Sequence, residues 1–340
     1  MTEQGTKLWA SFYEVIDTFR RLEPWQLLMG GDLCAIQLPE REEPWWCTVL
    51  GRMGGDRGLT LRYGRKGLAE YDWLIDEETP NYLMPFIRAD IDQTLIFWGD
   101  REEVPAEQRA AIKACGCRYR GRGEWPFCLS FRRGYMPATP DEQELAELIP
   151  ALQNFFMLCL AAGEKQDAFS IGDGEMLLRF YDEEQQLWLN VVAPRPVYER
   201  KLPRIRLMDE VLKARLKQTR REPIDLEMDF VYLGCPIREK GYARLINPLM
   251  LITANCDTGL IVGSELLRPD DDRVQAILHM LIPAMERRGR VRSIRTRNPY
   301  VAQALEDLCA GCGIRLEHEC AQLEAIDEYL RDSKHWKPLA

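Results

Sequence analysis

The residues that most resemble a metal site are a cysteine pair near the C-terminus and two potential ligands that follow it. Cys309 and Cys312 are separated by two residues, and His318 and Cys320 come shortly afterwards. Thiolates and imidazoles in such sets hold Zn²⁺ in tetrahedral geometry. The surrounding pattern instead predicts a helix that carries both cysteines and ends at Gly313, so the pair would share one buried helix face. We therefore predict no metal, and these four residues are the candidate ligands if a zinc site exists.

A run of arginines interleaved with aromatic side chains is the feature most typical of a nucleic-acid surface. Arginines bind phosphates, and aromatic rings stack on bases. The same alternation fits a strand that buries its rings and keeps its arginines in water, and we favour that strand. The net charge of −9 also argues against a general nucleic-acid binder, so a protein partner is favoured. The candidate nucleic-acid contacts are Arg118, Arg120, Arg122, Arg132 and Arg133.

Length and composition limit the class of protein. A chain of 340 residues exceeds one ordinary core, so two or three domains are expected. With 46% apolar and 29% charged residues the chain is expected to fold into globular domains. Its 11 scattered cysteines are predicted to be reduced thiols. No segment resembles a signal peptide or approaches the roughly 20 apolar residues of a membrane span, so the expected location is the cytoplasm and no membrane partner is predicted.

The N-terminal part predicts a mixed α+β module that ends near residue 165. Helical periodicity covers residues 7–22, and strand-like segments with turn glycines between residues 34 and 64 predict an antiparallel meander. A helix is predicted from Pro140 to about residue 162, with its cap at Thr139. Residues 166–222 then predict a connector that consists of a hairpin and a basic helix.

The C-terminal part, residues 223–340, predicts an α/β domain. Its clearest signal is a pair of apolar runs separated by a polar turn that ends at Gly259. Helices and short strands then alternate, and the helix starts are marked by Asp272 and Asn298. In order, the predicted segments are strands at 249–254 and 260–267, a helix at 273–288, a strand at 291–295, a helix at 299–312, a strand at 314–318 and a helix at 323–330.

Two stretches carry a resemblance to known domains. One is the pattern from Trp25 to Tyr63, together with Arg132 to Pro137; the other is the run from Val291 to Arg297 with Cys312 to Ile314. On these residues the chain resembles an uncharacterised bacterial two-domain family of unknown function, whose domains occur near SEC-C zinc motifs or plasmid ORF-3-like domains. The resemblance implies a fold arrangement but no activity.

The C-terminal part is also similar in element order to the ribonuclease-H-like core of integrases and transposases. Those enzymes need clustered carboxylates because metal ions must be held at the scissile phosphate. The resemblance puts the first carboxylate position at Asn255, with Asp257 two residues later, and the second at Arg297. An amide and a cation at these positions would bind Mg²⁺ poorly. Asp257 is therefore the only candidate catalytic residue that we name.

Together these patterns predict an α+β protein with an N-terminal mixed module and a C-terminal α/β domain of ribonuclease-H-like strand and helix order. We predict that the protein binds a partner or has a regulatory role and uses no cofactor. We favour a protein without enzymatic activity over an enzyme. One alternative is a degenerate or divergent ribonuclease-H-like nuclease that depends on metal. The other alternative is a small zinc-binding module.

Overall fold

The computed structural model describes residues 2–164 and 169–332, and the chain divides into two compact units. The N-terminal unit comprises Met1–Asp72, Ile91–Arg132 and Pro137–Glu199, and the C-terminal unit comprises Trp73–Asp90, Arg133–Met136 and Arg200–Ala340. The expected boundaries at 165 and 222 therefore differ from those of the units. The predicted connector hairpin belongs to the N-terminal unit because it extends that unit's sheet.

Helices and strands alternate irregularly along the described residues. The α-helices are α1 (Glu3–Leu22), α2 (Gly64–Ile75), α3 (Met84–Ala89), α4 (Ala106–Ala114), α5 (Glu142–Glu164), α6 (Glu210–Gln218), α7 (Arg273–Arg288), α8 (Pro299–Cys312) and α9 (Glu324–Asp332). The strands are β1 (Cys34–Gln37), β2 (Trp45–Leu50), β3 (Arg57–Tyr63), β4 (Gln93–Gly99), β5 (Trp125–Phe131), β6 (Glu175–Asp182), β7 (Leu187–Pro194), β8 (Asp225–Tyr232), β9 (Leu249–Asn255), β10 (Ile261–Leu267), β11 (Ser293–Arg295) and β12 (Arg315–Glu317). The predicted α+β class is confirmed.

The N-terminal unit is built on a seven-stranded sheet in the order β5-β4-β3-β2-β1-β6-β7. Strands β1 to β5 form an antiparallel meander, and β6 pairs in parallel with β1. Helices α1 and α5 pack together over one face, where Phe19 and Phe155 are fully buried with ring centroids 5.4 Å apart. Burial of such large rings is the main driving force for this core.

Helix α5 is long and apolar enough, by length and composition alone, to cross a membrane, although the sequence led us to expect no such segment. Half of this stretch is buried inside the structure. Leu148, Leu152 and Phe155 of α5 all lie in the core of the N-terminal unit. Its apolar character is therefore used in packing against α1 and the sheet.

The C-terminal unit is built on a five-stranded sheet in the order β10-β9-β8-β11-β12. Strands β8, β9 and β10 are antiparallel, whereas β11 is parallel to β8 and to β12. Leu249 and Leu251 of β9 join the core with α7 and α8, and Met250 and Ile252 join the core with α9. Because β9 is buried on both faces, its sequence is a continuous apolar run.

Local capping signals set the helices that flank the site described below. Asp272 accepts hydrogen bonds from the backbone of Val274 and caps α7, and Asn298 accepts from Tyr300 N–H and caps α8. Gly313 ends α8 in the left-handed conformation. All three helix ends agree with the sequence predictions, and they place Arg297 between the end of β11 and the start of α8.

Candidate functional site

Three carboxylates occupy alternate positions of β8 and share one face of the C-terminal sheet. They belong to Asp225, Glu227 and Asp229. The residues between them lie in the core on the opposite face, with α7 and α8. Side chains alternate between the two faces of a strand, so the carboxylates point to the side that α9 covers. Glu227 Oε2 accepts the backbone N–H of Ile326 in α9 at 3.0 Å.

Each of these carboxylates faces an arginine from β11 or its flanks, and we call the set of six residues the charged ladder. Asp225 Oδ1 accepts from Arg292 Nε at 2.8 Å and from Ser293 Oγ at 2.5 Å. Arg295 and Arg297 complete the arginine side: an Arg295 nitrogen lies 3.9 Å from a Glu227 oxygen, and Arg297 Nε donates to Asp229 Oδ2 at 2.7 Å. Parallel pairing of β8 with β11, in the register Asp225 to Ser293, brings the two rows together.

Arg297 bridges two carboxylates at the end of the ladder. Its Nε lies 2.7 Å from Asp229 Oδ2, and its Nη2 lies 2.7 Å from Asp327 Oδ1 on α9. The Arg297 side chain is only 13% exposed and that of Asp229 only 4% exposed. A guanidinium in this position supplies the positive charge that the buried carboxylate of Asp229 needs when it is removed from water, and it also pairs with the half-buried Asp327.

Burial sets the protonation behaviour of this end of the ladder. Burial raises the pKa of Asp229 from 3.8 to about 6, although Arg297 acts to lower it. At the other end, hydrogen bonds from Arg292 hold the pKa of Asp225 at about 2. Burial disfavours the charged form of Arg297, but the two carboxylates raise its pKa overall. Burial thus brings the pKa of Asp229 closer to neutral pH than the ordinary value of an aspartate.

A cavity of about 260 Å³ opens beside Arg297 within the C-terminal unit. Asp229, Asp327 and the ring of Tyr82 line it together with Arg297. Asn298 also lines the cavity, and its buried Nδ2 has no hydrogen-bond partner among the described residues. The cavity therefore lies next to charges that are already paired, and one of its lining residues carries a buried donor without a partner among the described residues.

The geometry of the ladder suits charge pairing better than metal binding. A divalent cation such as Mg²⁺ requires several oxygen ligands that are free to turn toward it. Across residues 2–164 and 169–332, no group of three or more His, Cys, Asp or Glu side chains is placed to hold a metal ion. The carboxylate oxygens of Asp229 and Asp327 are instead directed at a guanidinium.

The structure puts Asp257, the candidate catalytic residue, near the Asp225 end of this ladder but in a turn outside it: the neighbouring Cys256 N–H donates to the backbone oxygen of Asp225 at 2.9 Å, and the charge of Asp257 helps to raise the pKa of Arg292. Asp257 is exposed in the turn between β9 and β10, where Asn255 Oδ1 accepts the backbone N–H groups of Asp257 and Thr258. Asn255 thus stabilises the turn between β9 and β10. The resemblance had matched β9 to its first strand, whereas in this unit β8 precedes β9 and lies beside it in the sheet. The expected second position, Arg297, does lie beside the carboxylates.

The four candidate zinc ligands are not brought together. Cys309 and Cys312 are buried in the core with α7 and α8, whereas Cys320 packs in the core under α9, on the other face of the sheet. The His318 side chain is 58% exposed. Burial raises the pKa of Cys309 to about 12, which opposes the thiolate form that zinc requires.

The basic run separates into two groups. Arg118, Arg120 and Arg122 are exposed in the irregular segment between α4 and β5, outside the strand that the alternation predicted. Arg132 lies 2.8 Å from Glu144, and Arg133 lies 3.5 Å from the buried Asp90. The loop arginines are therefore solvated, and the other two are held by carboxylates of their own units.

Family comparisons cover both parts of the chain. Residues 9–179 match the family described as "Domain of unknown function (DUF7309)", which spans half of the chain. The chain belongs to the DUF7309 family. Residues 212–333 of this DUF7309 protein match a second family, described as "Domain of unknown function (DUF6930)". The predicted arrangement of two domains of unknown function is thus confirmed, while the link to SEC-C or ORF-3-like domains stays a prediction.

Comparisons with individual proteins add little to this DUF7309 assignment. No curated protein matches the chain. Among solved structures, a chain from the simian T-cell lymphotropic virus intasome in complex with PP2A regulatory subunit B56 gamma is 16% identical, with a TM-score of 0.22. The match covers 32% of the DUF7309 protein and 38% of that chain, so it spans well under half of either. A TM-score this low supports no inference about fold or function.

The charged ladder was missed in the sequence, although a signal for it was present. The run from Asp225 to Asp229 alternates acidic and apolar residues, and the run from Arg295 to Arg297 repeats a basic residue at the same spacing. Two strands with opposite charge at every second position are candidates for neighbours in one sheet. This pairing, and with it the roles of Glu227 and Asp327, required the register of β8 against β11.

Proposed function

We propose that this DUF7309 protein acts by binding and not by catalysis, and that its C-terminal unit is a ribonuclease-H-like module whose carboxylate site is closed by Arg297. The order of elements supports this assignment: three antiparallel strands, a helix, a strand, a helix, a strand and a helix follow one another. That order agrees with the ribonuclease-H-like resemblance of the sequence. Ribonuclease-H-like enzymes that depend on metal use clustered carboxylates to hold metal ions at a phosphate.

The observation that carries the proposal is the bridge from Arg297 to Asp229 and Asp327, with both contacts at 2.7 Å. A divalent cation bound by the same oxygens would lie within a few ångströms of the guanidinium. Two unit charges 4 Å apart repel by about 4 kcal/mol at an effective dielectric constant of 20, so a divalent ion would meet about twice that repulsion. Arginine cannot relieve this repulsion by losing its proton, because its pKa lies far above neutrality.

The binding surface proposed for this unit is the cavity beside the ladder. Its charged residues are already paired with one another, because Arg297 contacts both Asp229 and Asp327. Tyr82 and Phe86 are aromatic residues of its wall, and Asn298 is a lining residue with a side-chain amide. These groups suit a neutral, partly apolar group with a hydrogen-bond acceptor. A side chain or backbone group of a protein partner has this chemistry, which favours a protein over nucleic acid.

Manganese titration followed by electron paramagnetic resonance tests the proposal, because free and bound Mn²⁺ give different signals. The wild-type protein is expected to leave Mn²⁺ free. Arg297→Asp removes the repulsion and adds a carboxylate beside Asp229 and Asp327, so it should bind Mn²⁺ at least about 100-fold more tightly. Arg288→Asp is the matched control, since Arg288 is exposed at the end of α7, a helix that packs on the sheet face opposite to the ladder carboxylates.

The alternative, a metal-dependent nuclease, makes the opposite prediction for the wild-type chain. Arg297 would have to leave the carboxylates whenever the ion bound. Stoichiometric Mn²⁺ binding by the wild type, lost in Asp229→Asn and accompanied by metal-dependent cleavage of DNA or RNA, would overturn the non-catalytic proposal. Lack of Mn²⁺ binding by Arg297→Asp would show that the three positions do not form a latent metal site.

A further inference from the structure

Strand β10 lies at one edge of the five-stranded C-terminal sheet, beside β9. No strand of the described part of the chain pairs with its outer side. Native proteins usually protect such an edge with lysine, proline or a bulge. The residues of Ile261–Leu267 include neither lysine nor proline, and the bulge at Val262 leaves residues 263–267 in regular pairing with β9. This edge can therefore accept a further strand.

Large apolar side chains at this edge are exposed to water. Leu266 is 55% exposed, Val262 is 43% exposed, and Leu260, just before the strand, is 66% exposed. Leu266 pairs with Met250, which belongs to the core under α9, so Leu266 lies on the α9 side of the sheet. Exposed apolar surface of this kind marks an interaction site when it lies on an unpaired edge.

The α7 side of β10 is a groove of about 430 Å³ between the strand and the helix. Leu226 and Met285 line the groove and belong to the core of the C-terminal unit. Gly263 lets the helix approach the strand, because a Cβ at this position would lie 3.3 Å from Met280 Sδ. Both walls of the groove, β10 and α7, thus belong to the edge that lacks a neighbouring strand.

Three charged side chains that line this groove have no partner within one copy of the chain. They belong to Glu265 on β10 and to Arg287 and Arg288 at the end of α7, and none of the three forms an ion pair with another described residue. Residues 268–272 join the end of β10 to the start of α7, so the helix runs back along the strand. The arginines therefore lie toward the beginning of β10, whereas Glu265 lies toward its end.

We propose that a second copy of this chain covers this edge, by antiparallel pairing of its β10 with the β10 of the first copy. The two-fold axis passes near Ser264, the middle residue of the strand, and is perpendicular to the sheet. The two five-stranded sheets then become one continuous sheet with both α7 helices on the same face. The outward N–H and C=O groups of each β10 pair with those of the other, and the apolar side chains of the edge are removed from water.

The charges favour a second copy over another occupant. In antiparallel pairing the end of one β10 lies beside the beginning of the other, so Glu265 of each copy comes toward Arg287 and Arg288 of the other. Two-fold symmetry makes this contact twice. Ion pairs at exposed positions add little affinity, but they set orientation and register. The edge is thus complementary to itself in backbone, apolar surface and charge, and this dimer does not depend on the function proposed for the charged ladder.

Sedimentation velocity of the intact chain over the micromolar range tests for this dimer. The wild type should sediment as a dimer and Leu266→Lys as a monomer, because a lysine on an edge strand opposes strand pairing. Asp307→Arg is the matched control and should remain dimeric, since Asp307 is exposed on α8, which packs against β12 at the opposite edge of the sheet. A wild type that stays monomeric would refute the proposal and leave the edge to a different partner.

Exchange of charges between two variants separates pairing through β10 from misfolding. Glu265→Arg places like charges in both contacts, and so does the double variant Arg287→Glu with Arg288→Glu. Each variant alone should dimerise at least about tenfold more weakly than the wild type. A mixture of the two should form mixed dimers, which native mass spectrometry identifies by mass, because both contacts then join opposite charges. No gain of mixed dimer over either variant alone would refute the assignment, as would wild-type affinity in both Leu266→Lys and Glu265→Arg.

Discussion

Replacing Arg297 with methionine should destabilise the C-terminal unit in a way that depends on pH. In the wild type, burial raises the pKa of Asp229 from 3.8 to about 6. A raised pKa means that the folded state holds the proton more tightly than the unfolded state. The contribution of Asp229 to the free energy of unfolding is therefore fully present below about pH 4 and is lost as the pH rises through 6. The loss is about 1.4 kcal/mol per pH unit, or about 3 kcal/mol in total.

The wild-type loss stops above pH 6 because Asp229 is then ionised in both states. In Arg297→Met the guanidinium no longer lowers the pKa of Asp229, so the folded pKa moves higher. The variant continues to lose stability where the wild type has become constant. The difference in unfolding free energy between the two proteins should be nearly constant below pH 6. It should widen above pH 6 by at most about 1.4 kcal/mol per unit, until the pH passes the higher folded pKa of the variant.

Urea unfolding at several values between about pH 5 and pH 8 measures this difference. Pulsed hydrogen exchange resolved by peptide reports the C-terminal unit separately, which a two-unit protein requires. The control is the same substitution in an Asp229→Asn background, where the pH dependence should disappear. A difference between wild type and Arg297→Met that stays constant from about pH 6 to pH 8 would refute the coupling of Arg297 to Asp229.

Three further substitutions or treatments follow from individual contacts. Glu227→Gln weakens the buried acceptor of the Ile326 N–H, so the amides of α9 should exchange faster with solvent. The free energy of unfolding of the C-terminal unit in urea should fall by about 1 kcal/mol. Unchanged protection of the α9 amides would contradict this role of Glu227. Gly134→Ala should cost about 2 kcal/mol or more, because Gly134 has φ +81 and a Cβ would lie 2.9 Å from Pro269; a thermal shift below 1 °C would contradict it. Cys309, whose pKa burial raises to about 12, should resist iodoacetamide in the native protein and react in urea, as peptide mass spectrometry would show; rapid native labelling contradicts its burial.

Local signals predicted the helices around the site well. Asp272, Asn298 and Gly313 act within a few residues of their own positions, so the caps and the termination were visible in the sequence. The apolar run of β9 was visible for a similar reason, since burial on both faces leaves no polar alternation. These features were sufficient to predict an α/β domain in the C-terminal part.

The pairings that create the site were not visible locally. Asp229 and Arg297 are 68 residues apart, and their contact depends on β8 lying beside β11 and not beside a nearer strand. The hairpin of β6 and β7 was predicted as an element, but its parallel pairing with β1 across some 140 residues was not. A single sequence gives no means of choosing between such distant strand pairings. The domain boundaries and the charged ladder could therefore be recognised only in the structure.

The pKa of Asp229 also shows why deleting Arg297 would not uncover a metal site. Even beside a guanidinium, burial keeps the pKa of this carboxyl near 6. Without that guanidinium the group would take up a proton at neutral pH and become a neutral acid, which is a poor ligand for a hard cation. A metal would then have to displace the proton and be held by two carboxyls only. Gain of Mn²⁺ binding is therefore expected from Arg297→Asp and not from Arg297→Met, and this contrast separates a lost metal site from a simple salt bridge.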